Sequence, residues 1–117
     1  MSDCLFCKIV AGEVPSTKVH ETETTMAFRD INPQARVHIL VVPKTHHEDA
    51  VELAAADPQL LADVLATGAA VAKAEGIDVS GYRFVFNTGE DAGRTVFHAH
   101  LHLLGGELLG MFGRPTG

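Results

Sequence analysis

The segment Thr95-Val96-Phe97-His98-Ala99-His100-Leu101-His102-Leu103-Leu104 decides how this chain folds, because polar and apolar residues alternate strictly from His98 onward. On a β-strand successive side chains point to opposite faces, so His98, His100 and His102 share one face while Ala99, Leu101 and Leu103 share the other. On a helix His98 and His102 would be neighbours and His100 would point away. The run is short and bounded by Gly93 and by Gly105-Gly106, so it reads as a strand from His98 to Leu104. Three imidazoles on one face of an apolar-backed strand point to chemistry. A solvated polar face, a three-nitrogen metal site and partly buried structural histidines compete with that interpretation. Period two over three positions favours a functional site.

Working outward, Tyr82 to Phe86 is a second strand and residues 87–93 are a Gly-containing polar loop. Asp57-Pro58 starts a helix, a cap residue followed by proline in the first helical position. Leu60, Leu61, Val64, Leu65 and Val71 give it one apolar stripe, and Gly76 offers its stop. Thr45-His46-His47-Glu48 matches a capping box, which places a short helix start just after Pro43-Lys44. Val37 to Val42 is β-branched, ends at Pro43 and reads as a buried strand. Lys18 to Glu21 and Thr25 to Arg29 are β-prone and precede an Asn32-Pro33 turn. Leu5, Phe6, Ile9 and Val10 have helical spacing, closed by Gly12 and Pro15. This order predicts an α+β fold with a mainly antiparallel sheet.

The chain has 117 residues, 46% hydrophobic and 21% charged, which suits one compact domain over residues 1–117 and excludes disorder as the dominant state. No apolar stretch approaches the roughly 20 residues of a membrane span, and Met1-Ser2-Asp3-Cys4 lacks the basic and apolar regions of a secretory signal. A cytoplasmic location and no membrane partner are therefore expected. With a net charge of −6 and nine basic residues spread thinly, a broad nucleic-acid surface is not expected. A small anion needs a local site instead. Cys4 and Cys7 are too close to staple a fold, and a reducing compartment keeps them as thiols. Seven histidines are the outlier, five of them in two short clusters, so function is sought there.

His98-Ala-His100-Leu-His102-Leu-Leu resembles the signature of the histidine triad (HIT) superfamily. Phe28-Arg-Asp30-Ile-Asn-Pro-Gln-Ala, His38-Ile-Leu-Val-Val-Pro-Lys44-Thr-His46 and Gly81-Tyr-Arg-Phe-Val-Phe-Asn87 resemble its Hint branch, and the likeness runs from about Leu5 to Gly106. The resemblance implies a HIT-like fold of about five strands and two main helices, its sheet extended across a homodimer. It implies a purine nucleotide as the small-molecule partner and hydrolysis of nucleoside 5'-phosphoramidates or acyl-adenylates. His100 matches the nucleophile, its second ring nitrogen held by the carbonyl of His98. His38 and His102 match positions that line the phosphate and assist proton movement. Asn87 and Thr95 match phosphate contacts, with Thr95 standing where serine is usual and Arg94 where glutamine is common, a replacement that offers a cationic contact to the nucleotide. Backbone N–H groups from Gly93 through Val96 suit an anion-binding nest. Asp30 matches the acid that holds the ribose hydroxyls, and Phe6, Ile9, Phe28 and Ile31 match the walls around the base. For those four apolar residues ordinary core packing is an equal alternative on periodicity alone.

Two thiolates are half of a tetrahedral zinc site. Some HIT relatives complete it with residues matching His46 and His98, so Cys4, Cys7, His46 and His98 form an expected structural zinc set, with reduced cysteines and a helix-start histidine as the alternative. No cofactor is expected for catalysis itself. A dinucleoside polyphosphate hydrolase, a binding module with negligible turnover, and a zinc protein without chemistry are the competing functions. The ending Met111-Phe-Gly-Arg-Pro-Thr-Gly117 departs from the Trp-Pro-Pro-Gly-like tail common in the Hint branch, and the chain has no tryptophan.

Overall fold

The protein is described here by a computed structural model covering residues 4–111. The expected tail therefore lies outside the described residues from Phe112 onward. Its elements in chain order are α1 (Leu5–Val10), β1 (Lys18–Glu21), β2 (Thr25–Arg29), β3 (Val37–Pro43), α2 (Ala50–Ala56), α3 (Pro58–Ala74), β4 (Tyr82–Val85), a single 3-10 turn (Glu90–Ala92) and β5 (Leu101–Gly105). The strands form one sheet in the order β1-β2-β3-β5-β4, with every neighbouring pair antiparallel.

Register assigns the faces. Phe28 sits opposite Leu40, Leu40 opposite His102, and His102 opposite Val85, so one row crosses four strands on the histidine face. The next row, Ala27, Val41 and Leu101, faces the other way, as do Ile39, Leu103 and Phe84. That second face packs on α3 through Leu60, Val64, Val71 and Ala72, with Leu53 of α2 and Ile77 beside them. The histidine face is covered at one end by α1, whose Phe6 and Ile9 join Met26, Phe28, Leu40 and Val42 in a second core.

α3 starts where the sequence says. Pro58 occupies its first turn and the Asp57 carboxylate accepts from the Leu60 N–H at 3.1 Å. It lies close on the sheet at Gly68, where a Cβ would stand 2.9 Å from both Leu101 and Phe84. Its buried stripe runs Leu60, Val64, Thr67, Gly68 and Val71; Leu61 is partly buried and Leu65 sits 37% exposed on the flank. The Thr67 hydroxyl is satisfied at 2.7 Å by that of Thr25, both buried.

Two expectations are corrected. The helix after Pro43 begins at Ala50, not beside Thr45: Asp49 is its cap and accepts from the Glu52 N–H at 2.9 Å. Asp49-x-x-Glu52 has the same pattern as Thr45-x-x-Glu48, and tertiary demands choose between them, because residues 46 and 47 must reach back to the histidine segment. Strand pairing begins at Leu101 rather than His98. Pro43 has no N–H to continue the ladder. The Pro43 carbonyl accepts from the His98 ring at 2.9 Å, and the Ala99 N–H goes to the His47 carbonyl at 2.7 Å. Alternation survives the change, for Ala99 is buried in the α3-side core with Leu101 and Leu103.

Candidate active site

His100 lies against α1, its ring nearly perpendicular to that of Phe6 with centroids 4.9 Å apart. Phe6 is itself edge-on to Phe28 at 5.5 Å, so an apolar wall stands beside the imidazole. The His100 Nδ1–H donates to the His98 carbonyl oxygen at 2.7 Å. A carbonyl only accepts, so the proton of the neutral ring is on Nδ1 and the Nε2 lone pair is available. Burial pushes the proton affinity of this ring below the ordinary histidine value, against the opposing pull of the backbone bond and of Asp30. A neutral ring with one committed nitrogen is what a nucleophilic histidine requires.

His38 and His102 face each other across β3 and β5, with His38 Nε2 and His102 Nδ1 at 2.9 Å. Their tautomers follow from one backbone group. The Gln34 N–H donates to His38 Nδ1 at 3.0 Å, so His38 carries its proton on Nε2 and donates it to His102. His102 is then left with its proton on Nε2, 3.5 Å from the Asn87 carboxamide, whose oxygen accepts when the amide is turned toward it. Burial holds His102 down to about 4 and lowers His38 as well, keeping both neutral at pH 7. The row thus presents a lone pair at His100 and an N–H donor at His102 on neighbouring rings, whose centroids are 4.8 Å apart.

Asp30 follows β2. Its Oδ1 accepts from the Asn32 N–H at 2.8 Å and its Oδ2 lies 3.5 Å from His38 Nε2. Phe6, Ile9 and Phe28 are buried together beneath the site, and Val96 packs against the same cluster. Ile31 is 90% exposed and outside that cluster. Thr95 is exposed on the loop that opens at Gly93, whose φ of +82° is a backbone state that favours glycine. Arg94 is turned to Asp49, with Nη1 to Oδ2 at 3.2 Å. Sequence reasoning missed Asp49 behind the competing cap at Thr45. It also missed the carbonyls of Pro43 and His47 and the N–H of Gln34, because main-chain partners leave no residue-type signal.

On the far side of His98 lies a second cluster. Cys4 Sγ is 3.3 Å from His98 Nδ1, and Cys7 Sγ is 3.4 Å from both His98 Nδ1 and His46 Nδ1. All four donor atoms lie within 4.8 Å of one another. Tetrahedral zinc with sulfur and nitrogen ligands sets S···N edges of about 3.5 Å, so the donor set and its spacing fit that ion. The His98 Nε2–H donates to the Pro43 carbonyl at 2.9 Å, which leaves Nδ1 unprotonated toward the sulfurs. Asp30, His38 and His102 are also mutually close, yet they do not fit a metal. Gln34 already occupies the His38 Nδ1 lone pair, so an ion on Nε2 would require that ring to lose its last proton. A cleft of about 740 Å³ lined by Arg36, Ile77, Tyr82, Arg83 and Glu107 holds no histidine. The histidine row lies on the α1-covered face instead.

Residues 11–108 match the HIT domain, so the chain belongs to the HIT family. Purine nucleoside phosphoramidase from Escherichia coli (strain K12) is 40% identical over 108 residues, covering 92% of this chain and 91% of that protein. A 14 kDa zinc-binding protein from Zea mays is 45% identical over 108 residues, covering 90% and 83%. The structure of a HIT family hydrolase from Clostridium thermocellum superposes with a TM-score of 0.86 at 42% identity, covering 99% of this chain and 97% of that one. The α+β fold expected from the histidine run is therefore shared with these relatives.

Proposed function

We propose that this chain hydrolyses purine nucleoside 5'-phosphoramidates, or acyl-adenylates, through a nucleotidyl intermediate on His100. The observation that carries the proposal is the 2.7 Å bond from His100 Nδ1 to the His98 carbonyl, which leaves Nε2 as the nucleophile. Nε2 attacks the α-phosphorus, and the new N–P bond forms as the P–N bond to the amine, or the P–O bond to an acyl group, breaks. The departing amine takes its proton from water through the Thr95 hydroxyl, leaving a nucleotidyl-imidazolium. Water then attacks phosphorus, the His100–P bond breaks and the nucleoside monophosphate leaves, restoring the neutral ring. The His102 Nε2–H and the Asn87 amide face the phosphoryl oxygens, with His38 fixing the His102 tautomer. The Thr95 hydroxyl serves the leaving group, while the N–H groups of residues 93–96 serve as a nest for a phosphoryl oxygen. Asp30 takes the ribose, while Phe6, Ile9, Phe28 and Ile31 bound the base; the 90% exposure of Ile31 suits a wall that only a bound base would cover.

Cys4, Cys7, His46 and His98 would hold zinc, which when bound is structural and joins α1 to the histidine segment. A second copy pairs along β4, an outer strand whose Tyr82 is 37% exposed. The E. coli relative named a purine nucleoside phosphoramidase supports the substrate class.

The test is hydrolysis of adenosine 5'-phosphoramidate and of a tryptamine phosphoramidate by wild type beside His100→Ala. Release of AMP by wild type alone, with nucleotide affinity kept in the variant, is expected. Binding without turnover in wild type would make the protein a nucleotide-binding module, and turnover of diadenosine polyphosphate alone would make it a polyphosphate hydrolase.

A further inference from the structure

Burial lowers the proton affinities of His38 and His102, so at neutral pH these two rings bring no positive charge to an incoming phosphate. Arg94 lies on the loop whose Val96 packs against the Phe6 and Phe28 cluster beneath the histidine row. Its side chain is held in place and only 10% exposed. Nη1 donates to Asp49 Oδ2 at 3.2 Å, and the guanidinium lies over the Phe97 ring at 4.4 Å. Asp49 is anchored in turn, its other oxygen capping α2 through the Glu52 N–H. The Arg94 Nε–H is buried with no acceptor. A buried donor without a partner costs free energy, and native structures keep one chiefly where an absent group completes it.

We propose that Arg94 is the cationic contact for the substrate's phosphoryl group, held at the mouth of the site by Asp49 and Phe97. The inference rests on the nucleotide reading above and extends it to a residue that distinguishes anionic ligands from neutral ones. Arginine suits this role because its planar fork donates to two phosphate oxygens while one nitrogen stays on Asp49. It also resolves the charge problem of an acidic chain: one oriented guanidinium replaces a basic surface. The competing role is a buttress, in which Arg94 only ties the loop at residues 93–97 to the start of α2.

Calorimetric titration of AMP and of adenosine into wild type, Arg94→Gln and Asp49→Asn separates the two. Asparagine caps helices as well as aspartate does, so Asp49→Asn cuts the ion pair and keeps the cap. The proposal expects Arg94→Gln to weaken AMP by about tenfold or more, the range of a lost charge-assisted hydrogen bond, with adenosine unchanged. It expects Asp49→Asn to weaken AMP by less than Arg94→Gln does, since the cation remains after its anchor is cut, with adenosine again unchanged. Equal losses for AMP and adenosine, no loss for either, or an Asp49→Asn variant that copies Arg94→Gln would overturn it. Wild type that binds neither ligand would overturn the nucleotide reading itself, and this inference with it.

Discussion

At His100 the ring keeps its only proton on Nδ1, where the His98 carbonyl accepts it, and burial disfavours a second one. The same desolvation acts on His38, His98 and His102, the last two being held down to about 4. The sign for stability follows directly. In the unfolded chain these rings titrate near 6.5, so between that value and about 4 the unfolded state binds more protons than the folded one. Stability is full above the unfolded value and is lost as pH falls through the folded one. The melting temperature is expected to be flat from pH 7 to 8 and to decline steadily between pH 6.5 and 4, read by scanning calorimetry. A melting temperature independent of pH across that window would contradict burial of the rings. Much of this scale was legible: period two named the three histidines and their shared face. The His100 contact with the His98 carbonyl was implied by the resemblance, but the tautomers of His38, His98 and His102 were not, since they depend on the Gln34 N–H and the Pro43 carbonyl, main-chain groups that carry no residue-type signal.

At the scale of elements, the segments with a strong period and a chemical stop came out of the sequence with nearly their observed ends: Lys18–Glu21, Thr25–Arg29 and Pro58–Ala74. The stretch from Pro43 to Asp49 did not, because its path is set by what it must touch. His46 faces the Cys7 sulfur and stacks edge-on against His98, and the His47 carbonyl receives the Ala99 N–H. A metal on Cys4, Cys7, His46 and His98 would tie α1, this stretch and the histidine segment at one point. Zinc in about one-to-one ratio is therefore expected by elemental analysis of protein refolded with the ion. Chelation, or Cys7→Ser, is expected to lower the melting temperature by on the order of 10 °C. An unchanged melting temperature after complete removal of metal would leave those four residues as a coincidental cluster.

For the molecule as a whole, the sheet separates two tasks. One face is spent on packing against α3, where residues such as Ile39, Val41, Leu101 and Leu103 are fully buried. The opposite face is covered by a helix of only six residues, which leaves the histidine row beside Phe6 open to a ligand. That division was implicit in the alternation around His100, since a strand with apolar residues on one side and imidazoles on the other must lie between a core and a site. The 37% exposure of Leu65 was not legible, because Leu65 belongs to the same apolar stripe as Val64 and only the packing turns it outward. Light scattering of the purified chain is expected to give twice its mass of 12.5 kDa, and a monomer at micromolar concentration would leave β4 as a bare edge.

The central claim is a covalent bond between phosphorus and Nε2 of His100. Its most direct test is rapid mixing with adenosine 5'-phosphoramidate, an alkaline quench that preserves phosphorus–nitrogen bonds, and peptide mass spectrometry. An adenylyl group on His100, formed at least as fast as AMP is released and absent from His100→Ala, is the expected result. Turnover at the same rate with no adduct, or with the adduct on another residue, would contradict the account.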